Sequence, residues 1–252
     1  MYVREEYPDV LYLVKLSDDN EELKYSLRSL KNLKHSKVFI VGHKPKWINS
    51  NVVYIKTIQL KGQDNKYRNI KNNLFAAISD ERLSDDFVLM NDDFFIMKPT
   101  KQIRNFYRLK PLEHYLRLYE KATPDAVYLQ VIKDAIILLN SWGIYDLKSY
   151  DLHIPMAFNK KKFLALSEKM PKSATYSHIR SIYGNYYHIG GRAVQDAKII
   201  YDKESTPKNA GYTSILKYYS RRFLSTIDES FKNKKVGEYI RLHFPEKSVY
   251  ES

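Results

Sequence analysis

"FVLMNDDFFIMKP", residues 87–99, decides how the chain is read. An apolar run climbs to Met90, is interrupted by Asn91-Asp92-Asp93, and resumes as Phe94-Phe95-Ile96-Met97. An unpaired carboxylate buried inside a strand is costly, so these acids belong where a strand leaves its sheet or beside a positive partner. Working outward, "DVLYLVKL" (9–16), "KVFIVG" (37–42) and "VVYIKTI" (52–58) are strand candidates, and residues 86–91 make a fourth. Residues 19–33, "DNEELKYSLRSLKNL", read as a helix capped by Asp19 or Asn20, with acids in its first turn and Leu23, Leu27 and Leu30 on one face. Residues 69–83 read as another, burying Ile70, Leu74, Phe75 and Ile78. The order strand, helix, strand, strand, helix, strand predicts an α/β sheet with crossover helices. Ligands of such sheets bind beyond the carboxyl ends of the strands. Asn91, Asp92 and Asp93 stand at that end.

Past Pro99 the pattern changes. "MKPTKQIRNFYRLKP" (97–111) sets Lys98, Lys101, Arg104, Arg108 and Lys110 around Phe106 and Tyr107. It reads either as a phosphate-gripping loop with stacking aromatics or as a solvated helix face. Residues 124–142 predict a helix with Val127, Val131, Ala135, Leu138 and Trp142 in register and Gly143 as its stop. "AFNKKKFLALSEKM" (157–170) predicts a second, capped near Asn159, and the last fifty residues read as mainly helical.

At 252 residues the chain is long enough for a substantial core. It has no cysteine, which excludes disulfides, thiolate zinc sites and a cysteine nucleophile, and fits a reducing, cytoplasmic location. No signal peptide is evident. The longest apolar stretch, "AVYLQVIKDAIILLNSWG", carries Lys133 and Asp134 in its middle and reads as a buried helix rather than a membrane span. The net charge of +13 favours an anionic partner: nucleic acid, phosphorylated sugar polymer, nucleotide or membrane surface. A solvated lysine surface is the plain alternative. With no Walker-type loop and no GxGxxG, kinase-like and dinucleotide-binding readings lose support.

Asp92 and Asp93 are the best metal candidates, hard oxygen ligands suited to Mg²⁺ or Mn²⁺. His153 in "DLHIPMAFNKKKF", an extended segment expected to precede a helix, is a candidate acid or base. Arg180 and His178 in "SATYSHIRSIYGNYYHIGG" can hold a phosphate, Arg180 through its planar fork.

Five blocks in order resemble the Stealth family of sugar-phosphate transferases: "DVLYLVK"; "NEELKYSLRSLKNLKHSKVFIVGHKPKWIN"; "LSDDFVLMNDDFFIMKP"; "HIPMAFNKKKF" with "SHIRSIYGNY"; and "RRFLSTIDESF" followed by "HFPEKSVYE". The strand-end acid pair is also similar to that of nucleotide-sugar transferases with the GT-A fold. The family's Asp-Gly after the first strand is missing, and its closing Asn-Asp is Ile227-Asp228 here. The resemblance implies a GT-A or Rossmann-like mixed sheet with flanking helices and a helical C-terminal lobe. It implies one transferase domain over 1–252, with a nucleotide-sugar-binding half (1–100) and a helical insertion plus acceptor-binding, closing half (101–252). It further implies that Asp92 and Asp93, with Asp228, hold Mg²⁺ or Mn²⁺ or orient the attacking hydroxyl. His153 would be the acid/base, and Arg180 with His178 would stabilise the phosphate in flight. Asn91 would bind substrate, and Arg28 would face the nucleotide or pin the site. Lys247 and Ser248 would bind phosphate or cap the lobe. A nucleotide-sugar, with a UDP-sugar expected, is the implied donor, and the acceptor is a hydroxyl compound, plausibly an anionic polymer (nucleic acid or glycan). Two other readings stand beside it. One is a glycosyltransferase acting on hydroxymethylated DNA or a wall polymer. The other is a non-catalytic, basic nucleic-acid-binding protein.

Overall fold

The computed structural model describes residues 7–62, 65–122, 127–171, 178–199, 221–233 and 235–252. The first elements are β1 (Asp9–Val14), α1 (Glu21–Ser29), β2 (Val38–Gly42), β3 (Val53–Lys56), α2 (Lys66–Ile78) and β4 (Asp86–Asn91). With β7 (Met156–Asn159) they build one sheet of order β3-β2-β1-β4-β7, parallel except for β7, which runs antiparallel to β4. The class is mixed α/β, with helices flanking a central sheet and a largely helical C-terminal region.

Side-chain alternation along β1 divides the core. Leu11 and Leu13 join Phe39, Val41, Phe87 and Leu89 on one face, against Leu74, Ala77 and Ile78 of α2. Val10, Tyr12 and Val14 face the other way with Val38, Ile40, Val88 and Met90, against Leu23 and Leu27 of α1. Both faces are covered, which is why these strands read as continuous apolar runs. Each fully buried large aliphatic side chain contributes about 1.5–3 kcal/mol relative to exposure. Register places Leu13 opposite Asn91, so β1 and β4 end side by side.

The chain turns at Asp92-Asp93 into β5 (Phe94–Ile96), which pairs antiparallel with β9 (Phe223–Ser225). Phe95 packs there with Phe231, their rings stacked at 5.8 Å. Phe231 lies in α7 (Asp228–Lys232), and α8 (Val236–His243) follows. β6 (Phe106–Arg108) pairs in parallel with β8 (Arg192–Val194). The remaining α-helices among the described residues are α3 (Leu112–Ala122), α4 (Val127–Ser141), α5 (Lys160–Lys169) and α6 (Ile179–Tyr186). Among the described residues no helix is long and apolar enough to cross a membrane.

Several expectations need correction. Ala157-Phe158-Asn159 belongs to β7 rather than to the following helix, because Phe158 stacks on Phe87 at 5.8 Å and extends the sheet. Asn159 still caps α5, accepting a hydrogen bond from Lys162 N at 3.1 Å. His153 therefore precedes a strand, not a helix. Residues 97–111 form no helix; irregular chain leads into β6, and Arg108 is buried instead of solvated. The last fifty residues include β9, and residues 203–220 and 234 of that stretch lie outside the described residues, as do 124–126 of the helix predicted over 124–142.

Candidate functional site

Asn20 ties the two strand ends together. Its backbone has a positive φ of 28°, in the left-handed region that asparagine tolerates better than most residues. Its Oδ1 accepts from Leu23 N at 3.2 Å and caps α1, while its Nδ2 donates to Asp92 Oδ2 at 2.9 Å. One side chain thus fixes the helix start against the acid turn after β4.

The positive partner demanded by the buried acids is Lys15, the residue directly after β1. Its Nζ lies 2.7 Å from Asp228 Oδ1 and 3.7 Å from Glu22 Oε2. Burial alone would lower the Lys15 pKa, but Asp92, Asp228 and Glu22 together hold it well above the usual lysine value. Asp92 is raised above the ordinary carboxylate range by burial and then by the charge of Asp93. Glu22 is raised likewise, chiefly by burial, although Thr226 donates its hydroxyl to Glu22 Oε1 at 2.5 Å. Asp93 accepts from Ser225 Oγ at 3.3 Å, and its carbonyl accepts from Thr226 N at 3.2 Å. Its second carboxylate oxygen, Oδ1, is buried with no hydrogen-bond partner among the described residues.

That orphaned oxygen tests whether a divalent ion suits the site. Among the described residues no three His, Cys, Asp or Glu side chains converge as a ready-made metal site. Mg²⁺, however, is commonly held by one or two carboxylates plus substrate phosphates. Asp93, with Asp92 beside it, fits that manner of binding, whereas Asp228 is engaged by Lys15.

A second group lies across Phe94. His153 Nδ1 is 2.8 Å from Asp196 Oδ2, and His153 N donates to Asp196 Oδ1 at 2.9 Å. With Nδ1 donating to the carboxylate, Nε2 is left as the acceptor, 3.3 Å from Lys198 Nζ. Arg108 donates to the same Asp196 Oδ2 at 2.8 Å. Burial would raise the Asp196 pKa, but His153 and Arg108 hold it well below the carboxylate range. Burial lowers the Lys198 pKa, against the pull of Asp93. Arg180 is buried, its pKa pushed down to about 10 by loss of solvent. It donates through one terminal nitrogen to Ile154 O at 2.7 Å, while the other has no hydrogen-bond partner among the described residues. Its guanidinium lies 5.2 Å from the Phe94 ring centroid, and the His153 ring contacts that same ring edge-on at 6.3 Å.

The remaining expected site residues fall elsewhere or deeper. Asn91 closes β4 and is partly buried. His178 does not face the cleft: it is almost fully buried, paired through Nδ1 with Asp151 and 3.1 Å from the Tyr128 hydroxyl through Nε2. Arg28 forms a two-pronged pair with Glu251 at 2.8 Å on each arm and donates to the carbonyls of Phe244 and Pro245. Ser248 also bonds Glu251, through N at 2.8 Å, and Lys247 donates to Ser252 O at 2.9 Å. These residues clamp the C-terminal segment onto α1, apart from the acid turn.

Sequence reasoning missed Lys15, Glu22, Asp196 and Lys198. Glu22 looked like an ordinary first-turn acid; only its burial against Thr226 sets it apart. It stands near where the Asp-Gly pair of the resembling family is missing.

What fold and site define together is an α/β protein with a mixed-charge cluster of side chains beyond the carboxyl ends of its central strands. No protein-family model matches the chain, and no curated protein matches it. Among solved structures, that of mouse xyloside xylosyltransferase 1 in its apo form is similar over 87% of this chain and 97% of its own, at 8% identity and a TM-score of 0.35. Likeness at that level bears on no residue's role, and the functional assignment rests on this chain's own side chains.

Proposed function

We propose that the protein is a nucleotide-sugar-dependent transferase that moves a sugar-1-phosphate from a nucleotide-sugar, a UDP-sugar by preference, to a hydroxyl acceptor. The observation that carries this reading is the meeting at Phe94. The acid turn precedes it directly, and its ring touches both the Asp196-bound His153 and the Arg180 guanidinium. A proton acceptor, a phosphate-stabilising cation and hard oxygen donors therefore gather around one ring. The order of the sequence blocks points the same way.

In this scheme His153 Nε2 takes the proton of the acceptor hydroxyl, with Asp196 fixing the ring and stabilising the imidazolium that forms. The hydroxyl oxygen bonds to the phosphorus next to the sugar, and the phosphoanhydride bond breaks. Nucleoside monophosphate leaves with the bonding electron pair. Lys198 gives up its contact with Nε2 and, with the free nitrogen of Arg180, faces the phosphoryl oxygens on which charge accumulates. Asp93 and Asp92 would hold the divalent ion, which when bound neutralises diphosphate charge. Lys15 keeps the neighbouring acids compact in the meantime.

The test is donor turnover by purified protein with Mg²⁺ or Mn²⁺ across a nucleotide-sugar panel. Asp93→Ala and His153→Ala are each expected to reduce turnover by about 10²-fold or more. Turnover unchanged in both variants would remove these residues from the chemistry.

A further inference from the structure

Beside the His153–Asp196 pair lies a cavity of about 910 Å³. Four arginines line it, Arg104, Arg192, Arg221 and Arg222, and among the described residues no carboxylate does. Its apolar lining includes Ile103, Phe106, Val194 and Phe223. The β6–β8 pair forms one wall, with Phe106 in register with Arg192. That wall is tight: Gly191 has φ +119°, and a Cβ there would meet Asn105 O at 2.4 Å. Arg221 donates to the Asp196 carbonyl at 2.6 Å and to Gln195 Oε1 at 3.1 Å, so it is held in place. Arg104, Arg192 and Arg222 are exposed, and no ion pair engages them among the described residues. Like charges gathered without a counter-charge repel one another, and low-dielectric walls strengthen the field they throw into the cavity.

β9 connects this cavity to the candidate catalytic cleft. Phe223 lines the cavity, and Ser225, on the same face of the strand, donates to Asp93. Two residues of strand span about 7 Å. Ile154 and Ala197 also line the cavity, each next to a member of the His153–Asp196 pair.

We propose that this cavity binds the anionic, phosphate-bearing part of the acceptor, so that its hydroxyl is delivered to His153 from the side away from the donor. The proposal rests on the transferase reading for the word acceptor, but the anion site itself does not. It gives the basic residue Arg104 of the 97–111 segment a partner set that sequence spacing could not supply.

The experiment uses the full chain in two calorimetric titrations, one with inorganic tripolyphosphate and one with UDP plus Mn²⁺. They are run on the parent protein, on the Arg104→Ala/Arg192→Ala/Arg222→Ala triple variant, and on the matching triple lysine variant. Thermal melts check that each folds, which exposure of all three side chains favours. Tripolyphosphate is expected to bind the parent in a salt-sensitive way and to lose about tenfold or more in affinity in the alanine variant. The lysine variant is expected to recover part of the loss, with UDP affinity the same in all three. The proposal is overturned if tripolyphosphate fails to bind the parent at low salt, if it binds the alanine variant equally well, or if UDP affinity falls in parallel, which would make the cavity part of the donor site. Absence of UDP binding to the parent counts against the transferase reading and leaves the anion site to be judged by tripolyphosphate alone.

Discussion

Replacing Asp196 by alanine removes the acceptor on which the second half of the cleft converges. The Arg108 side chain is 9% exposed and that of Asp196 24%. Deleting one partner of a fully buried ion pair costs about 3–5 kcal/mol. Because Asp196 is about a quarter exposed, water can reach the vacated position, and the expected loss is about 2–3 kcal/mol. The His153 backbone N–H and ring N–H lose their acceptor as well. Urea unfolding followed by circular dichroism should show a lower midpoint with an unchanged slope, since the surface exposed on unfolding is nearly the same. The pH dependence has a definite sign. The Asp196 pKa is depressed in the folded protein, so its stabilisation is fully present above the unfolded value of about 3.9 and is lost as pH falls through the folded value. The gap between parent and variant should therefore narrow in acid below about pH 4. A gap at pH 7 under about 0.5 kcal/mol, the scatter of ordinary surface substitutions, or one that widens in acid, would refute the reasoning.

Other consequences are as direct. Arg28→Met should destabilise the fold by about 2–4 kcal/mol, because Glu251 keeps its buried charge with no cation and, among the described residues, only Ser248 to bond it; urea unfolding reads this, and donor turnover at saturating substrate should change far less. Gly184→Ala should cost about 1–3 kcal/mol, because a Cβ there would lie 2.4 Å from the Tyr150 ring; a melting temperature equal to that of the parent would contradict the packing. Mn²⁺ should raise the melting temperature of the parent with UDP present, since a ligand at about 100-fold its Kd adds about 2.7 kcal/mol. Asp93→Asn should abolish most of that shift, and a shift of the same size in the variant would place the ion elsewhere.

The parallel part of the sheet was legible because its strands are covered on both faces and its helices carry clear apolar stripes. A cap at Asp19 or Asn20, which the structure settles as Asn20, and the position of Asp92-Asp93 beyond β4 followed from the same patterns. β7 was missed because four residues of strand run straight into α5, and a lysine-rich helix signal overrides so short an alternation. The acid cluster was half legible. Two acids in an apolar run are conspicuous, but Glu22 and Lys15 look like routine residues at a helix start and a strand end. Asp196 lies 43 residues from His153, and nothing local in "AVQDAKI" marks it. Its role exists only once β8 has been laid beside β6. The cavity arginines share this property: Arg104, Arg192 and Arg222 come from three distant segments, brought together beside two short two-stranded ribbons that sequence periodicity does not announce.

The measurement that bears most directly on the central claim is the identity of the nucleotide released when the protein turns over a nucleotide-sugar, resolved by chromatography with and without a hydroxyl acceptor. Attack at phosphorus beside the sugar predicts acceptor-dependent nucleoside monophosphate, abolished in His153→Ala. Nucleoside diphosphate would mean attack at the anomeric carbon, and no nucleotide release with any donor and acceptor would mean that the cleft performs no such transfer; either result would contradict the account.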